Sequence, residues 1–177
     1  IKIGTIADLI NYRILNEKTV EKIEQKSVKT EYGKFNLILY KDLIFDETHL
    51  VLQKGKISKN SPTLVRVQQS NFFHDLLNIN EFGARWSVSD AMKRINEAGK
   101  GIILLIDGEN QKQDEFNEIN ASKKKRITVP NNDPRRIGIG SQILRDLGVK
   151  KIKLMGSEVR YPSLSGFDLE VTEYIKK

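Results

Sequence analysis

The sequence predicts an α/β fold, with an N-terminal β-rich part followed by βαβ units. Three observations carry this. Between residues 27 and 67, short apolar runs alternate with turn residues. From Ser87, an amphipathic pattern at helical spacing leads through Gly99 into the unbroken apolar run Gly101–Ile106. From Asp133, a loop gives way to a second helical pattern and then to an alternating strand that ends at Leu154.

The elements follow in order. Residues 1–26 read as helical: Ile6, Leu9, Ile10 and Ile14 recur at helical spacing, Thr5 is an N-cap, and Val20 and Ile23 add a second pair. Strands are predicted over residues 28–32, 35–40, 48–52 and 64–67, separated by turns at Gly33, Lys41-Asp42, Gly55 and Ser61-Pro62. His49 falls on the third of these strands and reads as a packing residue rather than a metal ligand. The next helix is capped by Ser87, ends at Gly99 and buries Val88, Ala91, Met92 and Ile95. Gly101–Ile106 is apolar throughout, as a strand covered on both faces would be. Residues 112–129 are polar and lysine-rich and read as a loop, with Phe116 and Ile119 anchoring one turn. Ile139, Ile143, Leu144 and Leu147 then give one apolar helix face, Gly148 stops the helix, and Ile152 and Leu154 alternate with lysines as in a strand.

A chain of 177 residues fits one domain, or one domain with an appendage. Its 38% hydrophobic residues can form a core, and no apolar run approaches the roughly 20 residues a membrane helix needs. There is no cysteine, so disulfides and thiolate metal sites are excluded. The chain begins at Ile1 without a signal-peptide pattern and reads as a piece of a longer, cytoplasmic protein. Its net charge of +7 admits nucleic acid, phosphate ligands or an acidic partner. The lysines are dispersed, however, and the one dense run, Lys123-Lys124-Lys125-Arg126, reads as a solvated loop. The aromatic residues form no stacking ladder beside it, so nucleic acid is not the expected partner.

The segment Asp133-Pro134-Arg135, followed by Gly138-Ile139-Gly140 and the run from Gln142 to Val149, resembles GTP cyclohydrolase II. It is most similar to the second half of bifunctional 3,4-dihydroxy-2-butanone-4-phosphate synthase / GTP cyclohydrolase II proteins. Thr30, Gly33, Phe35, Tyr40, Asp42, His49, Gly55 and Pro62-Thr63-Leu64-Val65-Arg66-Val67 resemble the opening sheet of that family, and residues 165–171 its last strand. Residues 1–13 resemble the last helix of the synthase half. The resemblance therefore implies a tail or linker of a preceding synthase domain over residues 1–26 and a GTP cyclohydrolase II-like domain over residues 27–177.

The same resemblance implies site residues and shows which are missing. The family reads Arg-Val-His-Ser-Glu-Cys where this chain has Arg66-Val67-Gln68-Gln69-Ser70-Asn71, so the first zinc-binding cysteine is replaced by Asn71. The other two cysteine positions fall near Phe82 and Ala84, or at Ser87 and Ser89 in the other register. No zinc or other cofactor is expected, and without the metal the water that attacks the guanine ring is a weak nucleophile. His74 and Asp75 do not make a replacement site, because neighbouring residues point apart. In the family's Arg-Gln-Glu-Gly-Arg turn only Glu109 matches, and the family's catalytic tyrosine is absent. A GTP site that lacks both arginines is not expected to be intact.

By resemblance, Asp133 is the vestige of a proton acceptor and Arg135 of the group against the phosphate chain. Arg66, Glu109 and Arg160 are the vestiges of nucleotide contacts. Read from the residues alone, Asp133 and Arg135 are a helix-start acid and a neighbouring surface arginine. The expectation is a cyclohydrolase-like domain without zinc or hydrolase activity, a structural or regulatory partner of a synthase domain fused upstream, in a homodimer. The alternatives are an active GTP cyclohydrolase II, releasing formate and pyrophosphate, and a basic nucleotide- or nucleic-acid-binding module.

Overall fold

A computed structural model describes residues 9, 12–13, 16–69, 75, 86–106, 134–159 and 161–177. Its strands are β1 (Val20–Thr30), β2 (Gly33–Asp42), β3 (Thr48–Lys54), β4 (Thr63–Gln69), β5 (Gly101–Ile106), β6 (Lys151–Met155) and β7 (Glu170–Ile175). Helix α1 (Val88–Ala98) precedes β5, helix α2 (Pro134–Asp146) precedes β6, and a 3-10 helix (Pro162–Phe167) precedes β7. All seven strands form one mixed sheet in the order β1-β2-β3-β5-β4-β6-β7.

The turn chemistry sets the antiparallel half. Gly33 has φ +113, which lets the chain reverse between β1 and β2 with Thr30 facing Gly33. β2 pairs with β3, and β3 with β5, all antiparallel. The other half is parallel: β4 lies against β5 and β6, and β6 against β7. The α/β prediction holds at this level: the fold is mixed α/β, built mostly of strands.

The helices cover opposite faces of the sheet. On β5, Ile102, Leu104 and Ile106 pack into a core with Ile139, Ile143 and Leu144 of α2. Ile103 points the other way, into a core with Ala91, Met92 and Ile95 of α1. This period of two explains the apolar run, since both faces of β5 are buried. Helix α1 starts and stops as predicted. Ser87 and Asp90 form a capping box, and Gly99 ends the helix at φ +70.

Two boundaries are corrected. Residues 20–26 are strand, not helix: Val20 is buried but Ile23 is 55% exposed, so their helical spacing was coincidental. β1 is an edge strand paired on one side, and most of its side chains face solvent, which hides the alternation that marks a strand. Leu9, one of the apolar residues at helical spacing, is 58% exposed. The last strand begins at Glu170, because Pro162–Phe167 first makes a 3-10 turn that buries Phe167. Thr5, Ile6, Ile10 and Ile14 lie outside the described residues, as does the expected loop at 112–129 with Phe116 and Ile119.

Candidate functional site

Of the site residues expected from the sequence, Arg135 is brought into a cluster of ionisable groups. Proline fits the first turn of α2, and Arg135 follows it. Its guanidinium pairs with Glu47 and lies 3.4 Å from the centroid of the Phe45 ring. A planar guanidinium suits both contacts at once.

Glu47 belongs to the turn between β2 and β3, which Asp42 organises. Asp42 Oδ1 accepts from the backbone N–H groups of Ile44 (2.8 Å) and Phe45 (3.3 Å), and the Asp42 N–H donates to the Glu47 carbonyl at 2.8 Å. Asp46 takes the left-handed conformation, φ 59, that closes the turn. His49 follows on β3 opposite Tyr40, and both side chains are fully buried. Asp42, Glu47 and His49 each bring one oxygen or nitrogen within 4.8 Å of the others.

The cluster sits at one end of α2, and further contacts fix the rest of the helix. Gln142 Oε1 accepts from the Thr19 N–H at 2.8 Å. Asp146 Oδ2 accepts from the Tyr40 hydroxyl at 2.7 Å, and its Oδ1 pairs with Lys18, also at 2.7 Å. Burial, then the Asp146 hydrogen bond, pushes the Tyr40 hydroxyl well above its ordinary pKa. Burial alone would raise the Asp146 carboxyl, but Lys18 and Tyr40 outweigh it and hold the carboxyl below the usual range.

Arg66 is held elsewhere, on β4. It donates to Gln68 Oε1 (2.8 Å) and to the carbonyls of Met155 (2.9 Å) and Trp86 (3.2 Å). Gln68 continues the chain to Asp75, whose other oxygen accepts from the Val88 N–H. Arg66 thus joins β4, β6 and the entry to α1. Asp133, Glu109 and Arg160 lie outside the described residues, with Asn71, Phe82, Ala84, His74 and the run Lys123–Arg126. Sequence reasoning missed Asp42 and Glu47 as site residues and set His49 aside. The signal available was three ligand-type side chains within eight positions around a turn.

A profile of the GTP cyclohydrolase II family matches residues 21–176. The chain belongs to that family. A 3,4-dihydroxy-2-butanone 4-phosphate synthase of Pseudomonas aeruginosa is 44% identical over 99% of this chain and 48% of its own length. One of Photobacterium phosphoreum is 40% identical with the same coverage. A riboflavin biosynthesis protein RibBA of Aquifex aeolicus is 36% identical over 99% of this chain and 46% of its own. Among solved structures, RibBX of A. baumannii, described as a two domain 3,4-dihydroxy-2-butanone 4-phosphate synthase, shares 38% identity with a TM-score of 0.66. It is covered over 46% of its length by the whole of this chain. The chain spans about half the length of the curated relatives it matches.

These names correct the functional expectation. Relatives at 34–44% identity over 99% of the chain are named as the synthase itself, and so is the structural neighbour. A hydrolase with a degenerate site, in a bifunctional protein, is not what they indicate. Neither is a regulatory partner fused behind a synthase domain. The physical reason is that missing thiolates speak only to zinc-hydroxide chemistry and assign no role to the scaffold that remains. Among the described residues, no helix is long and apolar enough to cross a membrane.

Proposed function

We propose that this protein acts in riboflavin biosynthesis as a 3,4-dihydroxy-2-butanone 4-phosphate synthase, in the cytoplasm. The observation that carries the reading is the synthase name borne by relatives up to 44% identical over 99% of the chain. Because the chain spans about half of those relatives, the activity is proposed for the protein as a whole. The product that the name specifies is a phosphate monoester of a dihydroxyketone. Such a molecule needs a cation at its phosphate and a proton acceptor near its carbonyl. Arg135, with Glu47 and His49, offers both group types in one cluster, and we place ligand contact there.

Complementation tests the reading. A riboflavin auxotroph lacking its synthase is expected to grow without riboflavin when it expresses this protein. No growth, with the protein folded and abundant in the cells, would overturn the assignment.

A further inference from the structure

We propose that Asp42, Glu47 and His49 bind a divalent transition-metal cation, of the zinc or manganese type, in competition with Arg135. The proposal stands on binding alone and does not depend on the synthase reading. One ligand atom from each of the three residues lies within 4.8 Å of the other two. Ligands about 2.1 Å from one metal are separated by roughly 3.4 Å in a tetrahedron and 4.2 Å across an octahedron. The three side chains therefore need only small rotations to share an ion.

A second observation comes from the Asp42 carboxylate. Asp42 is 1% exposed. Its Oδ1 accepts two backbone N–H groups, whereas its buried Oδ2 accepts no hydrogen bond among the described residues. A buried carboxylate oxygen without a donor is costly, and a coordinated cation relieves that cost. One imidazole with two carboxylates suits zinc, manganese and similar ions, while the imidazole disfavours magnesium and calcium. No sulfur is required.

The frame is rigid on both sides. Asp42 ends β2, His49 pairs with Tyr40 across β2 and β3, and the Asp42 N–H fixes the Glu47 carbonyl. Arg135 Nη2 donates to Glu47 Oε2. Metal binding at Glu47 weakens that pair, so the ion and the start of α2 are coupled.

Calorimetric titration of the purified protein with Mn²⁺ and with Zn²⁺ tests this. The expected result is one saturable site, weakened at least tenfold in Glu47→Gln and in Asp42→Asn. Arg135→Gln is expected to bind the ion at least about fivefold more tightly. His74→Ala, at the other histidine, is expected to leave the affinity unchanged. Circular dichroism checks that each variant is folded, and the near-isosteric change at Glu47, a turn residue whose side chain is 16% exposed, keeps the test open if Asp42→Asn unfolds. The proposal is overturned if neither the wild type nor Arg135→Gln binds either ion. It is equally overturned if binding survives in folded Glu47→Gln or is lost in His74→Ala.

Discussion

The Tyr40–Asp146 hydrogen bond joins a buried hydroxyl to a carboxylate, and each group stabilises the ionisation state the other needs. Tyr40 has a raised pKa in the fold, so its contribution is complete below the unfolded value of about 10 and is lost as pH rises through the folded value. Asp146 has a lowered pKa, so its contribution is present above about 3.9 and is lost as pH falls through the folded value. Tyr40→Phe is expected to lower stability by about 2 kcal/mol in urea unfolding at neutral pH, as for a hydrogen bond to a charged group. The same variant is expected to lose less stability between pH 9 and pH 11 than the wild type does. Asp146→Asn is expected to flatten the acid limb below about pH 4, read as the unfolding midpoint against pH. None of these partners was legible from the sequence. Tyr40 and Asp146 are 106 positions apart, and Arg135 and Glu47 are 88 apart, and no local period encodes such pairs.

Elements whose signals are local were legible. Ser87 caps α1, Gly99 ends it, and the two faces of Gly101–Ile106 follow from an apolar run of strand length. Ser87→Ala is expected to cost about 1 kcal/mol, because it removes the acceptor for the Asp90 N–H; thermal unfolding reads it as a lowered midpoint. Gly101 is the harsher position. A Cβ there would lie 2.8 Å from both Ile95 Cγ1 and the Leu64 carbonyl oxygen, with backbone on one side and core on the other. Gly101→Ala is expected to destabilise by about 1–3 kcal/mol in denaturant titration. β1 was misread because an edge strand carries polar side chains on both faces, and β7 because a 3-10 turn took the residues expected of it. The turn at Gly33 was read correctly, but the one expected at Lys41-Asp42 follows them, since both residues still belong to β2. The ionisable cluster within the second turn emerged only when β2 and β3 paired.

At the scale of the whole molecule, one sheet belongs to both cores. From Ile102 to Ile106, β5 hands its side chains to α2 and to α1 in turn, so neither layer can be lost while the other keeps its packing surface intact. Unfolding is therefore expected to be cooperative. Trp86 reports on it, being the single tryptophan, with its indole N–H bonded to the Ile175 carbonyl on β7. Its fluorescence and the far-ultraviolet circular dichroism are expected to change together in denaturant. Two separated transitions would show the antiparallel half melting on its own. The alternation on β5 could be foreseen, but the placing of β5 between β3 and β4 could not, since strand order depends on contacts distant in sequence.

The strand order also sets how the molecule bears load. The first and last strands occupy opposite edges, six strand spacings or roughly 29 Å apart. Tension applied between Val20 and Ile175 therefore runs largely across the strands, along the direction of their hydrogen bonds. Those bonds are then peeled one after another, as in a zip, rather than sheared all at once. In an optical trap the sheet should part from its edges inward, at lower force than a sheet whose two terminal strands are neighbours.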